Sequence, residues 1–199
     1  MFGGDNDNDE DELASVERYS IVGNKWEDLP RMAVKRHGHC AAAALRNQIY
    51  ILGGGTRVLE VFDTVLLEWR TETSLCDMPE SRDDVAAVVL KNRSLVMIGG
   101  EDEDYNSSAG CLIYDCSINR WSSTPASMNM ITARYLHTAA VLDGKIVVAG
   151  GSSGRRLSSM ECIDARDILE YAPLEYPLPV EYFSHILQLG KTLLVTKYT

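Results

Sequence analysis

Short apolar runs recur along the chain, and three of them end at a pair of glycines. The runs 49–52, 95–98 and 146–149 are apolar and have a composition typical of strands. The glycine pairs that follow them are Gly53-Gly54, Gly99-Gly100 and Gly150-Gly151, at spacings of 46 and 51 residues. A period of about 50 residues predicts a repeat architecture, in which each unit forms one supersecondary element.

Each unit begins with an arginine that precedes its glycine pair by 16 or 17 residues: Arg36, Arg82 and Arg134. Between the arginine and the glycines lie two apolar runs joined by turn residues, which predicts a β-hairpin. The first runs are 40–45, 85–90 and 138–142, and the turns are Arg46-Asn47, Asn92-Arg93 and Asp143-Gly144. Because small apolar residues dominate the first runs without polar alternation, we expect these strands to be buried on both faces.

After the glycines, each unit has a variable polar loop and a third apolar run, which in two units ends in an aromatic residue and an aspartate. A tryptophan follows that aromatic residue by seven positions. The pairs are Tyr19 and Trp26, Phe62 and Trp69, and Tyr114 and Trp121, with Ile163 and Tyr171 as a variant that has one extra residue. The third run and the segment around the tryptophan predict two further strands, so each unit is expected to contain four.

Four short antiparallel strands per unit, a double glycine and regularly spaced aromatic residues closely resemble the kelch repeat, which forms one blade of a β-propeller. The linkers 29–36, 78–82 and 128–134 are similar to the segment that joins consecutive kelch blades. The resemblance covers nearly the whole chain and implies an all-β propeller of four-stranded antiparallel blades. It divides the chain into outer strands of one blade at 1–35, with an acidic loop at 5–12, complete repeats at 36–81, 82–133 and 134–179, and two strands of a further repeat at 180–199.

Both ends depart from a complete repeat. Met1-Phe2-Gly3-Gly4 is similar to the end of a second strand, whereas Val180 stands in the arginine position and Thr196-Lys197 in the glycine position of the last, degenerate repeat. Two interpretations stay open. The chain is a fragment of a longer propeller, which we favour because it starts inside a glycine pair, or it closes as four blades when its two ends pair in one sheet. An open array would also allow self-association with a second copy.

The formal net charge is −10, and six of the acidic residues lie in the run Asp5–Glu12. This charge, without any block of Lys or Arg, argues against a nucleic-acid partner. No stretch reaches the roughly 18 apolar residues of a membrane span, and the N-terminus lacks the features of a signal peptide. Five cysteines at irregular spacing fit reduced thiols, so we expect a protein of the cytoplasm or the nucleus that does not bind a membrane.

The kelch resemblance implies that ligands meet the loops at one face of the propeller, around its central channel. In the family, the residues at this mouth follow the glycine pairs or lie around the repeat arginines. Here they are Thr56, Arg57, Glu101, Asp102, Ser152, Ser153, His37, His39, Asp83, Asp84 and Tyr135. Their mixture of both charge signs and neutral polar groups predicts a protein or peptide ligand.

A structural role is expected for the residues that define the repeat. The three arginines, together with His137, would tie the blades together through hydrogen bonds. Trp26, Trp69 and Trp121 would anchor the packing between blades. The glycines would permit positive φ and close strand approach, and they do not belong to a phosphate-binding GxxxxGK[ST] loop.

Metal binding and catalysis are weaker interpretations of the same residues. His37 and His39 could share one strand face, but no third ligand has a matching spacing. The run Asp5–Asp9 suggests a calcium loop, yet an EF-hand register would require glycine at Glu10 and glutamate at Val16. We therefore expect no metal and no cofactor. The chain also lacks GxSxG, HExxH and Cys/His nucleophile patterns.

By resemblance, the leading functional hypothesis is a protein-interaction module. The segments 16–19 and 36–39 resemble most the kelch-like proteins, whose propellers bind substrate proteins for cullin ubiquitin ligases or bind actin. Ligase-adaptor activity would need BTB and BACK domains, which these 199 residues do not contain. The alternative is a propeller enzyme, such as a copper oxidase or a sialic-acid mutarotase. It is disfavoured because the cysteines lie in or beside predicted strands rather than at the channel mouth.

Overall fold

A computed structural model describes residues 1–3, 5–6, 9–36, 40–70, 75–165, 171–172, 183–189 and 192–197, with side chains described at 1–3, 13–36, 40–70 and 75–165. Among these residues the only helical segment is a 3-10 turn at Ala126–Met128. The strands are β1 (Asp5–Asn6), β2 (Asp9–Glu12), β3 (Val16–Ser20), β4 (Lys25–Leu29), β5 (Ala41–Leu45), β6 (Gln48–Leu52), β7 (Glu60–Asp63), β8 (Glu68–Trp69), β9 (Ala86–Leu90), β10 (Ser94–Ile98), β11 (Cys111–Asp115), β12 (Arg120–Ser123), β13 (Thr138–Leu142), β14 (Lys145–Ala149), β15 (Met160–Asp164), β16 (Tyr171–Ala172), β17 (Phe183–Leu189) and β18 (Thr192–Lys197).

Three four-stranded antiparallel sheets carry the repeat. They are β5–β8, β9–β12 and β13–β16, each with its strands in chain order. The described residues also form three two-stranded sheets, namely β1–β2, β3–β4 and β17–β18. The prediction of four-stranded antiparallel blades is confirmed, and the architecture is that of a partial β-propeller.

The aromatic residue of each third strand lies opposite the tryptophan of the fourth. The register pairs Tyr19 with Trp26, Phe62 with Trp69 and Tyr114 with Trp121, and it pairs Ile163 with Tyr171 in the variant unit. The ring centroids of the three aromatic pairs are 5.4, 5.1 and 5.0 Å apart. The seven-residue spacing is therefore that of a tight hairpin whose cross-strand pair stabilises the outer edge of the blade.

The hydrophobic core lies between consecutive sheets. One cluster joins β5–β8 to β9–β12, a second joins β9–β12 to β13–β16, and a smaller third packs the hairpin β3–β4 on β6. Representative buried members are Leu52, Val61, Leu95 and Met97 in the first, Val96, Ile98, Val148 and Ile163 in the second, and Val16, Met32 and Ile51 in the third. Blades therefore stack face to face, and each one depends on its neighbours for burial.

The expectation that the first strands are buried on both faces is wrong for β5, whereas β9 packs against a hydrophobic cluster on each face. In β5, Ala41, Ala43 and Leu45 are buried against the next blade, whereas Ala42 and Ala44 are exposed. The exposed alanines share the sheet face that packs on the hairpin β3–β4, because Ala42 lies opposite Ile51 in the register. A two-stranded hairpin is too narrow to cover that whole face, which leaves the small side chains in solvent.

The inner strands follow one another around the array. Strand β9 lies alongside β5, β13 alongside β9, and β17 alongside β13. The hairpins β3–β4 and β17–β18 form separate sheets, so the pairing of the two ends that would close four blades is not formed among the described strands. Of the degenerate positions, Val180 lies outside the described residues, whereas Thr196 and Lys197 end strand β18.

The N-terminal residues pair with β3 much as a second strand pairs with a third. Phe2 bridges Val16, and the Gly3 N–H donates to the Ser15 carbonyl at 2.9 Å. The Gly99 and Gly150 N–H groups make corresponding bonds of 3.1 and 3.2 Å in their own units. Gly3 thus has the backbone environment of the first glycine in a pair.

The strands end at two opposite faces of the array. We call the end with the glycine pairs, the loops after them and the repeat arginines the glycine face. The other end, the turn face, carries the hairpin turns around residues 46–47, 64–67, 91–93, 116–119 and 143–144. The candidate ligand-binding residues that the structure describes belong to the glycine face.

Candidate functional site

On the glycine face, the residue after the repeat arginine pairs with the residue after the glycine pair. The backbones of Asp83 and Glu101 exchange hydrogen bonds of 2.8 and 2.9 Å, and those of Tyr135 and Ser152 exchange bonds of 3.0 and 2.8 Å. Two neighbouring blades thus present equivalent backbone positions with different side chains. The corresponding residue of the preceding blade is His37, which with His39 lies outside the described residues.

The loop after Gly100 projects acidic groups and one tyrosine. Asp102 organises it, because its Oδ1 accepts hydrogen bonds from the N–H groups of Asp104 at 2.9 Å and Asn106 at 2.8 Å. Glu103 and Tyr105 extend beyond this turn into solvent, and Tyr105 is 84% exposed. Asp102 therefore shapes the loop, while its neighbours are the groups that a ligand would meet.

The loops of the two flanking blades are less acidic. Arg57 donates from Nε to the Met78 carbonyl at 2.8 Å, which ties its loop to the following linker, and Thr56 precedes it in the same loop. In the last complete blade, the Ser153 N–H donates to the Arg155 carbonyl at 3.0 Å and closes a tight turn. This turn leaves Arg155 and the adjacent Arg156 exposed.

Negative charges crowd the pair formed by Asp83 and Glu101. Burial raises the pKa of Glu101 above its ordinary value, and the charges of Asp84, Asp83 and Asp102 add to this shift. The pKa of Asp102 lies below its ordinary value, because hydrogen bonds from the Asn106 backbone and side chain stabilise the ionised form. This part of the glycine face is therefore negative at neutral pH and electrostatically complementary to cationic groups.

The repeat arginines are held deep beneath this surface. In each unit, Nη1 donates to the carbonyl of the first glycine of the same unit, at 2.6 Å for Arg36, 2.9 Å for Arg82 and 2.9 Å for Arg134. Arg36 and Arg134 have no exposed surface. The contact fixes the linker to the end of the second strand, which explains the constant arginine–glycine spacing. These bonds lie within one unit, so the expected role of the arginines in joining separate blades stays a prediction.

Two buried glutamates pair with these arginines, and they were not recognised from the sequence. Each repeat arginine, with its glycine carbonyl and its paired carboxylate, is called a clamp below. Glu60 pairs with Arg36 through Oε2 and Nη2 at 3.0 Å, and Glu161 pairs with Arg134. The side chains of Glu60 and Glu161 are only 8% and 5% exposed. Each also accepts a linker N–H at 2.7 Å, from Ala33 and Ile131 respectively. One carboxylate therefore joins an arginine to the linker ahead of it.

The glutamates occupy the same position of the repeat in two units, but the middle unit has another residue there. Glu60 precedes Phe62 by two positions, as Glu161 precedes Ile163. In the middle unit the corresponding residue is Leu112, and Arg82 pairs instead with Glu80, which is 52% exposed. The repeat arginine thus forms an ion pair with a buried carboxylate in two units and with a solvent-exposed carboxylate in the middle unit.

The side chain three residues after a repeat arginine packs between the glycine pair of its own unit and the glycine pair of the preceding unit. Val85 contacts Gly53 of the preceding pair and Gly100 of its own pair, and His137 lies in the same way between Gly99 and Gly151. A Cβ added at Gly53 would lie 2.6 Å from Val85, and one added at Gly99 would lie 2.7 Å from the His137 ring. The glycines are needed for this close approach as well as for their positive φ.

His137 does not tie the blades through hydrogen bonds, so this expectation is wrong. The residue is 7% exposed, and neither Nδ1 nor Nε2 has a hydrogen-bond partner of good geometry among the described groups. Burial lowers the pKa of His137 to about 3, and the charge of Arg134 adds to the shift, which the nearby Ile98 carbonyl only partly offsets. The ring fills the space between the glycines as a neutral group.

Replacing His137 by valine, the residue at the equivalent place in the preceding unit, should remove a pH dependence of stability. With a pKa of about 3 in the folded chain and 6.5 in the unfolded chain, the unfolded state binds more protons between these values. The stability of the neutral, folded state is therefore fully present above pH 6.5. As the pH falls below 6.5, the free energy of unfolding decreases by about 1.4 kcal/mol per pH unit until the pH reaches about 3. Urea titrations at about pH 7.5 and about pH 5 should show the wild type losing about 2 kcal/mol more than His137→Val. Equal losses would show that the ring can be protonated in the folded chain.

Two of the three tryptophans bind the linker that enters their blade. Trp69 donates from Nε1 to the Pro30 carbonyl at 2.7 Å, and Trp121 donates to the Cys76 carbonyl at 2.8 Å. Both contacts anchor one blade to the chain that arrives from the previous one. Trp26 differs, since it packs on Tyr19 and is 58% exposed.

The described side chains include no group of three His, Cys, Asp or Glu that could hold a metal ion. The side chains of Asp5–Glu12, like His37 and His39, lie outside the part in which side chains are described. No helix in the described regions is both long and apolar enough to cross a membrane.

The repeated geometry agrees with known protein families. Residues 55–175 match the family described as the KLHDC2/KLHL20/DRC7 Kelch-repeats domain, and residues 2–33 match the Kelch motif. The chain belongs to the kelch-repeat family. Its four-stranded sheets are kelch blades, and the array that they form is a partial kelch propeller.

Kelch-like proteins are among the relatives of this kelch chain. Kelch-like protein 24 of Homo sapiens and of Rattus norvegicus is 35% identical over 162 residues, which cover 77% of this chain and 24% of the relative. Kelch-like protein 38 of Rattus norvegicus is 29% identical over 166 residues, which cover 77% of this chain and 27% of the relative. An F-box/kelch-repeat protein of Arabidopsis thaliana is 38% identical over 82 residues, or 41% of this chain and 20% of the relative. The chain thus spans about a quarter of the length of the Kelch-like relatives.

Proposed function

We propose that the glycine face of this kelch propeller binds a segment of a partner protein. The observation that carries the proposal is the equivalent backbone pairing of Asp83 with Glu101 and of Tyr135 with Ser152 in neighbouring blades. A rigid scaffold that presents different side chains from equivalent positions is suited to recognition rather than to one fixed chemistry. The proposed contact residues are Thr56, Arg57, Glu101, Asp102, Ser152, Ser153, His37, His39, Asp83 and Tyr135.

The exposed chemistry of this face fits a protein ligand. Tyr105 and Leu136 are 84% and 41% exposed beside acidic groups, and Arg155 and Arg156 project from the next blade. Tyrosine and arginine are enriched at protein interfaces, where they contribute large contact areas and directional hydrogen bonds. The acids around Glu101 favour a partner segment that carries basic residues. Nothing in the described residues favours the alternative of a propeller enzyme.

In its full-length context, we propose that the chain is the substrate-recognition part of a cullin-type ubiquitin ligase adaptor. This extends the resemblance to kelch-like proteins, which the identity to Kelch-like protein 24 supports. The domain that would recruit the cullin has to come from sequence outside these residues. Actin binding by the same propeller is the competing assignment within the kelch-like group.

Paired surface variants test the glycine face. Glu103→Lys combined with Tyr105→Ala changes two exposed residues of its acidic loop. The control, Glu68→Lys combined with Val65→Ala, makes a matched charge change at two exposed residues of the turn face. Partners captured from cells by the wild type are purified and titrated against each variant. We expect the glycine-face variant to bind at least tenfold more weakly, a loss of about 1.4 kcal/mol, and the turn-face control to bind as the wild type does.

Full affinity of the glycine-face variant, or loss of affinity only in the turn-face control, would overturn the proposed site. The adaptor role is tested separately, with the full-length protein. It requires that a cullin co-purifies with that protein and that partner ubiquitination depends on an intact glycine face. Co-sedimentation with filamentous actin, without any cullin, would replace the adaptor assignment by actin binding.

A further inference from the structure

The turn face has a polar pocket at the strand ends opposite to the glycine pairs. Its volume is about 250 Å³, and its polar lining includes Arg46, Tyr50, Arg70, Asn92, Arg93 and Ser117. Arg46 and Arg70 follow β5 and β8, whereas Arg93 precedes β10 and Ser117 follows β11. The pocket therefore lies between two adjacent blades and exists only when they are stacked.

Positive charge converges on this pocket although the chain as a whole is acidic. Three arginines line it and no Asp or Glu does, in a sequence with 29 acidic and 19 basic residues. A concave site lined by charges of one sign focuses the potential and attracts counter-ions. The lining thus selects for an anion, against the average charge of the molecule.

Nearby carboxylates offset part of this charge. Asp115 accepts hydrogen bonds from Nε and Nη2 of Arg93 at 3.2 and 2.5 Å, a pairing that does not use Nη1. Asp63 interacts electrostatically with Arg70. Arg46 is exposed and forms no ion pair or hydrogen bond with the described residues around it. Among the groups named here, two carboxylates face three guanidinium groups, and Arg46 is the guanidinium without a carboxylate among the described residues.

The other lining groups are suited to hydrogen bonding with oxygen. Asn92 and Ser117 are exposed at the rim, where their amide and hydroxyl groups can donate, whereas the buried Tyr50 hydroxyl at the base already donates to the Gln48 amide oxygen at 2.9 Å. Guanidinium groups bind the oxygens of phosphate in a bidentate manner, which makes arginine the preferred residue for such anions. The volume is below the roughly 300–1,000 Å³ of sites for drug-sized ligands, so it suits one small group.

We propose that this pocket binds a single phosphate-type oxyanion, either free phosphate or the phosphate of a phosphorylated side chain. The site is independent of the protein-binding glycine face, because its residues lie at the opposite ends of the strands. A phosphorylated partner could in that case contact the turn face without competing with a ligand on the glycine face.

Titration of the ¹⁵N-labelled chain with inorganic phosphate at low ionic strength tests the proposal. We expect saturable shifts in the Nε–H signals of Arg46 and Arg93 and in the backbone signals of Asn92 and Ser117, with a Kd of millimolar order. Arg46→Gln should raise that Kd at least fivefold without loss of stability, because the exposed Arg46 side chain forms no ion pair or hydrogen bond with the described residues. The control Arg155→Gln removes an exposed arginine from the glycine face and should leave the Kd unchanged.

A second variant guards against a folding artefact. Asn92→Asp adds a negative charge at the rim while keeping the side-chain shape, and aspartate tolerates the positive φ of 51° at this position. It should weaken phosphate binding as strongly as Arg46→Gln does. A wild-type Kd in both variants, or shifts confined to the glycine face, would overturn the site.

A phosphoserine peptide and its unphosphorylated form distinguish the two sources of the anion. Binding of the phosphopeptide at least tenfold more tightly than inorganic phosphate would assign the pocket to a phosphorylated protein. Equal affinities would assign it to the free anion. Equal binding of the phosphorylated and unphosphorylated peptides would contradict recognition of phosphate altogether.

Discussion

Replacing Glu161 by glutamine should lower the free energy of unfolding by about 3–5 kcal/mol, because it leaves the Arg134 guanidinium buried without a counter-charge. Arg134 has no exposed surface, and burial already lowers its pKa, an effect that Glu161 opposes. The guanidinium cannot escape by losing its proton, since arginine stays charged in proteins. Urea unfolding at neutral pH, followed by tryptophan fluorescence, measures the loss.

The middle unit supplies the control for this prediction. Glu80 pairs with Arg82 in the equivalent clamp, but its side chain is 52% exposed, so Glu80→Gln should cost only about 0–1 kcal/mol. Arg82 also keeps its bonds to the Gly99 and Gly110 carbonyls, each 2.9 Å long. Equal effects of the two substitutions would mean that burial does not decide the strength of the clamp.

Replacing Gly100 by alanine should cost about 3 kcal/mol or more. The position has a φ of +90°, which strains any L-residue, and the new Cβ would collide with the Asp83 carbonyl and a Val85 methyl. Left-handed backbone strain of about 1–2 kcal/mol then adds to an overpacking cost of about 1–3 kcal/mol. The collision with Asp83 involves backbone, which cannot move aside without breaking its pairing with Glu101.

Gly154→Ala separates backbone strain from collision. Gly154 also has a positive φ, +76°, but a Cβ there would meet nothing within 4 Å, so only the backbone strain of about 1–2 kcal/mol is expected. Chemical denaturation of both variants against the wild type gives the comparison. If Gly100→Ala were no worse than Gly154→Ala, the wedge at Val85 would have to be loose rather than tightly packed.

The repeat, its four strands and their pairing could be predicted from sequence because they depend on local periodicity and on turns. The seven-residue offset between Tyr114 and Trp121 follows from the register of the hairpin, in which the two residues lie opposite each other. Burial of β5 could not be predicted in this way, since the exposure of Ala42 and Ala44 depends on the neighbouring sheet β3–β4, which has only two strands.

The features missed from sequence depend on residues that are distant along the chain. Glu161 lies 27 residues from Arg134, and a charged residue within an apolar strand gives no local indication of its partner. His137 shows the opposite error, because a buried histidine suggests hydrogen bonds that its surroundings do not supply. Arg46 and Arg93 were interpreted only as turn residues, and their shared pocket appears once two blades are stacked.

The unequal clamps have a consequence for how the blades respond to salt. Mobile ions screen an exposed pair such as Arg82 and Glu80, whereas they hardly reach Arg36 with Glu60 or Arg134 with Glu161. Rising ionic strength should therefore weaken the pair of Arg82 and Glu80 more than the other two. Among the three clamps in the described residues, the one expected to depend on the surrounding electrolyte is thus the one in the blade that carries the loop after Gly100.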